Sequence, residues 1–325
     1  MKVIDHLNQD NCQFMQQTNY DLSTLTVILT TYERPKLLLR QILYMQHWNA
    51  QIEIVDGSKQ PLPPDYTSFI QKLPNMNYRH DRSSVIRRIA EAAARVKTPY
   101  VIVLADDDIY LQSGLYKAIR KLDLDFFAGA CFGGVCGLSK LYNHYYVFKY
   151  GENLSQYIIN SKKPSERIVQ GFRQWRSGAW YALYRAEYFK KIWAKCEIEP
   201  SLRAIEEVQS IKAFYHVEFA NISDLYWLRG FANESVDLSH NILPSENFAF
   251  SDWCTAQLSK SHEISFVEIN KSMFGKKIDI SEIEAKHVFQ VITELPNKLD
   301  QVSLVDVNFR VRILEKIALN ARKFK

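Results

Sequence analysis

The sequence predicts an α/β protein with a mostly parallel central sheet flanked by helices, and three observations carry that expectation. Strand-like apolar runs alternate with helix-periodic segments through the first third of the chain. One of them, Val101-Ile102-Val103-Leu104, has no polar break and reads as a strand buried on both faces, as parallel strands are. Three of the strand ends lead into polar loops: Thr30 to Arg34, Asp56 to Ser58, and Asp106 to Asp108. Parallel strands deliver such loops to one edge of the sheet, where α/β proteins bind ligands. Three adjacent carboxylates repel one another, so the last loop needs a cation or a ring of hydrogen-bond donors around it.

Taken in order, residues 1–23 are polar and irregular and read as an amino-terminal arm. Leu25 to Thr30 is the first strand. Pro35 suits the first turn of the helix that follows, in which Leu38, Ile42 and Met45 recur at helical spacing. Ile52 to Val55 is a second strand closed by Asp56-Gly57-Ser58, and a loop with Pro61, Pro63 and Pro64 leads to an extended Met76 to His80. Ser83 or Ser84 can cap a helix that runs to about Val96, and Tyr100 to Leu104 is the next strand. Phe126 to Gly137 reads as strand and turn, Asn153 to Arg167 as a polar loop, and Ala186 to Ala194 as a helix. A helix from Arg203 opens on Glu206 and Glu207, and Phe214 to Leu228 is strand-rich. The expected organisation is an arm (1–23), an α/β domain (24–237, divided at residue 110) and a mainly helical extension (238–325).

Composition narrows the function class. With 47% hydrophobic and 24% charged residues the chain is an ordinary globular one. Five Cys without a tight pair suggest neither a disulfide framework nor a zinc site, which fits a reducing cytoplasm. Lys2, Asp5 and Asp10 rule out the apolar core of a signal peptide. The run Phe126 to Leu138 is too short and too glycine-rich to span a bilayer. A net charge of +5 without a basic motif does not support a nucleic-acid partner. The basic end, Arg310, Arg312, Lys316, Arg322, Lys323 and Lys325, reads as a solvated helix face or as a surface for peripheral membrane contact.

Four motifs, Val27-Ile-Leu-Thr-Thr-Tyr-Glu-Arg-Pro35, Ile54-Val-Asp-Gly-Ser58, the Arg87-Arg88 helix and Leu104-Ala-Asp-Asp-Asp108, resemble in order and spacing those of the family 2 glycosyltransferases of GT-A fold. The resemblance covers residues 25–110, is weaker over 170–230, and is absent before 20 and after 240. It implies an inverting enzyme that moves a sugar from a nucleotide-sugar donor, with Mn²⁺ or Mg²⁺, to a glycan or lipid-linked saccharide acceptor in surface-polysaccharide synthesis. It places Thr31, Tyr32 and Glu33 beside base and ribose, Asp56 on the base, and Arg87 or Arg88 at the diphosphate. For the metal it implies Asp106 and Asp108 on a strict Asp-X-Asp reading, or Asp107 and Asp108 when aligned from Leu104. Ala105 stands where many members carry the first Asp. The general base falls on Glu207 or Glu206, although the family more often has Glu-Asp or Asp there. A nucleotidyltransferase is a second reading, but Thr30 to Pro35 lacks the glycine-rich, lysine-bearing loop it would need. A non-catalytic nucleotide-sugar-binding subunit is a third, kept open by Ala105.

Overall fold

The computed structural model describes residues 20–141, 144–149, 158–174, 178–194 and 202–231. The extension expected over 238–325, with its basic end, and residues 1–19 lie outside the described residues. In chain order the elements are β1 (Leu25–Thr31), α1 (Pro35–Met45), β2 (Gln51–Asp56), α2 (Pro64–Ile70), β3 (Met76–His80), α3 (Val85–Arg95), β4 (Tyr100–Ala105), β5 (Ile109–Tyr110), α4 (Gln112–Leu124), β6 (Ala128–Leu141), β7 (His144–Lys149), α5 (Pro164–Gln174), a 3₁₀ turn (Gly178–Tyr181), β8 (Leu183–Arg185), α6 (Ala186–Trp193), α7 (Leu202–His216) and β9 (Glu218–Phe231).

All strands join one mixed sheet in the order β3-β2-β1-β4-β8-β6-β9-β5, with β7 beside β6. The first four are parallel throughout. The apolar runs of β1 and β4 follow from their position, because each is covered on both faces. Ile28, Val101 and Val103 pack with α3, α6 and α7 residues in one core. Val27, Leu29, Ile102 and Leu104 pack with residues of α1 and α4 in the other. Registers pair Thr31 with Asp56 and Thr30 with Ala105, so the three polar loops leave the sheet at one level.

Pro35 begins α1 and Ser84 caps α3, its hydroxyl accepting from the Arg87 amide. Packing reaches back into the expected arm as far as Leu22, which is buried and donates its amide to Asn49 Oδ1 at 2.8 Å. Three boundaries differ from the sequence reading. The polar segment before Arg167 is not all loop: α5 starts at Pro164, and Arg167 turns inward to donate to the carbonyls of Phe214 (2.8 Å) and Ser161 (2.8 Å). Phe214 to His216 finish α7 rather than open a strand, since the Val217 amide still bonds to Ala213 at 3.0 Å. Helix α7 starts at Leu202, which moves Glu206 and Glu207 from the helix opening into its second turn.

Candidate active site

The acid turn is built by β4. After Ala105 the chain reverses, with the Asp108 amide bonded to the Ala105 carbonyl at 3.2 Å. Helix α1 holds the turn from behind: Arg40 Nη2 and Gln41 Nε2 each donate to the Asp106 carbonyl at 3.0 Å, and Gln41 Nε2 also reaches the Asp108 carbonyl. Gln41 is buried in the apolar stripe of Leu38, Ile42 and Met45, and this is where its polarity is used.

The three acids have different surroundings. Asp106 is buried and both of its oxygens are engaged, Oδ2 by the Thr31 hydroxyl at 2.7 Å and Oδ1 by Arg34 Nη1 at 3.0 Å. Burial pushes its pKa up to about 6 despite those bonds. Asp107 is more open, its side chain 24% exposed, and it meets Arg34 Nη1 at 3.0 Å through Oδ2. Asp108 is buried and accepts the Gly230 amide on Oδ1 at 2.8 Å. Burial, reinforced by the charge of Asp107, pushes it up to about 7, against the pull of the Gly230 amide, Arg229 and the Trp227 indole.

The other two loops are stitched to this turn and to each other. The Gly57 amide donates to the Thr31 carbonyl at 3.0 Å and the Glu33 amide to Ser58 Oγ at 2.8 Å. Glu33 Oε1 takes the Lys59 amide at 2.6 Å, and Glu33 itself sits in the left-handed region at φ 51°. That conformation is costly for a residue with a side chain and persists only where neighbours fix it. Asp56 is buried, with Oδ1 on the Ser58 amide (2.8 Å) and Oδ2 on the Tyr78 hydroxyl (2.7 Å). Each carboxylate oxygen retains a second lone pair. The Tyr32 hydroxyl is buried without a hydrogen-bond partner among the described residues.

The two arginines of α3 part company. Arg88 is buried, donates to the carbonyls of Asp81 and Ser83, and lies against Gly57 so closely that a Cβ there would meet its Nη1 at 1.9 Å. Arg87 points outward, its side chain 71% exposed, and pairs with Glu91 at 3.0 Å one helical turn on. On the same face, a cavity of about 250 Å³ is lined by Val55, Arg79, His80, Arg88, Glu91 and Arg95, among others.

Glu206 is half-buried on α7. Its charge acts on the Tyr181 hydroxyl together with those of Asp108, Arg229 and Asp107, after burial the causes that set that group's ionisation. Glu206 and the acid turn therefore lie within electrostatic reach of the same buried hydroxyl. The Glu207 side chain lies outside the described residues. Trp180 is buried edge-on against Trp193 at 5.0 Å and belongs to the core.

Sequence reasoning placed Arg34 in the first strand-end loop without giving it a role, and missed Arg40, Gln41, Tyr78 and Gly230 as parts of the site. A polar residue inside an apolar helical stripe was the signal available for Gln41. Gly230 contributes a backbone amide and carries no side-chain signature.

The donor set suits a hard divalent cation. It consists of carboxylate oxygens, and two of the acids are driven toward neutrality by burial, which a nearby cation would relieve. Among the described residues no three His, Cys, Asp or Glu converge into a closed metal cluster. Mg²⁺-like sites commonly use one or two carboxylates and complete themselves with substrate phosphates. Asp106 accepts a side-chain donor on each oxygen, whereas Asp107 is the most open of the three and Asp108 accepts a backbone amide, so Asp107 and Asp108 are the acids such an ion would meet first.

The architecture is a Rossmann-like sheet of GT-A type flanked by helices. Its similar solved structures include S. aureus TarS 1-349, at 14% identity and a TM-score of 0.56 over 86% of this chain and 74% of that one. The same protein in complex with UDP-GlcNAc matches at 14% identity and a TM-score of 0.55 over 84% of this chain and 72% of that one, and in complex with UDP at 14% and 0.53 over 86% and 72%. No family model matches the chain, and no curated protein does.

Proposed function

We propose that the chain is an inverting, metal-dependent glycosyltransferase that moves a sugar from a UDP-sugar to a hydroxyl of a glycan or lipid-linked saccharide acceptor. The observation that carries the reading is the meeting of three strand-end loops around the acid turn, with Glu206 and that turn within electrostatic reach of the same buried hydroxyl. The TarS structures of the same fold with UDP and UDP-GlcNAc make a uridine nucleotide the first donor to try.

In this reading Asp56 uses a free lone pair for the base, and the unpartnered Tyr32 hydroxyl and Thr31 line base and ribose. Buried Arg88, rather than exposed Arg87, serves the nucleotide side. Asp107 and Asp108 would hold Mn²⁺ or Mg²⁺, which when bound supplies positive charge to the departing diphosphate. Glu206 or its neighbour Glu207 takes the proton from the acceptor hydroxyl as it attacks the anomeric carbon opposite the leaving group, and a single displacement of that kind inverts the centre. The setting is cytoplasmic, peripheral to the inner face of the membrane, in surface-polysaccharide synthesis. No helix among the described residues is long and apolar enough to cross a membrane.

The test is a thermal-shift and donor-hydrolysis screen of nucleotide sugars in Mn²⁺ and in EDTA. UDP raises the melting temperature more in Mn²⁺, and at least one UDP-sugar is slowly hydrolysed. Glu206→Gln or Glu207→Gln lowers transfer by about 10²- to 10⁴-fold, the range for removing a general base, with UDP binding retained. Absence of any UDP-induced shift sinks the proposal.

A further inference from the structure

Arg34 lies within the first strand-end loop but has no part in the chemistry above. Its surroundings give it one. Its Nη1 alone bridges Asp106 Oδ1 and Asp107 Oδ2, both at 3.0 Å, instead of presenting a two-nitrogen fork to one carboxylate. Its Nε is buried with no hydrogen-bond partner among the described residues, so the guanidinium is incompletely satisfied where it sits. The backbone beneath it is fixed on both sides. Glu33 is locked in its left-handed conformation by Ser58 and Lys59, Pro35 starts α1, and the Arg34 carbonyl accepts the Leu38 amide at 3.0 Å. The side chain, only 21% exposed, is thereby delivered to the two acids.

A divalent ion of Mg²⁺ type on Asp107 would approach an oxygen to about 2.0 to 2.1 Å. At Oδ2 it would meet the guanidinium nitrogen now 3.0 Å from that oxygen, setting two cations side by side. Two cations cannot both occupy that position without strong repulsion. Resting on the reading in the preceding section, we propose that Arg34 is the resident counter-ion of the acid turn and is exchanged for the divalent cation that enters with the nucleotide diphosphate. Arg34 is thus a positioning residue. It keeps Asp106 and Asp107 paired while the site is empty of substrate, and it sets the affinity of the metal.

The test is a thermodynamic cycle on the full chain, run with and without UDP. Mn²⁺ affinity is read from the electron paramagnetic resonance signal of the free ion, and melting is recorded in EDTA and in Mn²⁺, for wild type, Arg34→Gln and Arg34→Lys. Arg34→Gln is expected to bind Mn²⁺ about tenfold more tightly, to melt below wild type in EDTA, and to gain more from Mn²⁺ than wild type does. Arg34→Lys, which keeps the charge, falls between the two and carries the comparison if the Gln variant does not fold. An arginine with a merely structural role lowers melting equally in both conditions and leaves Mn²⁺ affinity unchanged, which overturns the proposal. So does Mn²⁺ binding that weakens in Arg34→Gln. If no form binds Mn²⁺ but UDP still stabilises the chain in EDTA, the exchange is wrong and the nucleotide reading survives. If UDP fails as well, both fall.

Discussion

Of the two buried acids of the turn, Asp108 is pushed further from the ordinary carboxylate range. Its carboxyl binds a proton more tightly in the folded chain than in the unfolded one, pushed up to about 7 by burial and by Asp107, and Asp106 follows at about 6. Folding therefore takes up protons between about pH 4 and pH 7, and the contribution of these acids to stability falls as pH rises through that window. Asp108→Asn removes the charge, while its amide oxygen can still accept the Gly230 N–H. Its melting temperature in EDTA is expected to exceed that of wild type at pH 8, with the difference shrinking toward pH 4. Scanning calorimetry across that range checks it, and a variant that melts lower at pH 8 contradicts the assignment. The identity of the acids was legible in the sequence, because three carboxylates after a fully apolar strand need an explanation. Their division of labour was not. It depends on Thr31 and Arg34, more than 70 positions away in sequence, closing on Asp106, and on a backbone amide that any residue but proline could supply.

At the scale of elements, helix α1 acts as the clamp of the acid turn. Gln41 supplies two donors to carbonyls of the turn from within an otherwise apolar face. Gln41→Leu fits the stripe but leaves the Asp108 carbonyl without that donor, and losing a buried partner costs about 1–3 kcal/mol. Urea unfolding should record a drop of that size with an unchanged m-value, together with weaker UDP binding as the turn loosens. Unchanged stability and UDP affinity would mean the clamp is idle. Strands β1, β2 and β4 and helices α1 and α3 were readable because burial on both faces imposes apolar runs and helical burial imposes its own period. The end of α7 was misread for a related reason: Phe214 to Val217 is apolar enough to pass for a strand, and only its i to i+4 bonding identifies it as helix.

For the molecule as a whole, the loops at 31–34, 56–59 and 105–109 form one unit through side chains and amides that cross between them. Ligand binding should therefore protect them together. In hydrogen exchange with and without UDP and Mn²⁺, all three segments are expected to slow in concert while the β6–β8 pairing stays unchanged, and protection confined to one loop would break the unit apart. Among the described residues, strand pairing joins the β3-β2-β1-β4 part of the sheet to the rest through two residue pairs, Tyr100 with Arg185 and Val101 with Tyr184. Yet the contact between Asp108 and Gly230 ties residues 122 positions apart. At a synthesis rate of roughly 5–20 residues per second, the ribosome needs on the order of 6 to 24 s to add that stretch. Through that interval the acid turn can fold on β4 and be held by α1 and Arg34, but Asp108 lacks the amide that finishes its surroundings. The acid turn can thus be assembled well before Gly230, which completes the surroundings of Asp108, has been made.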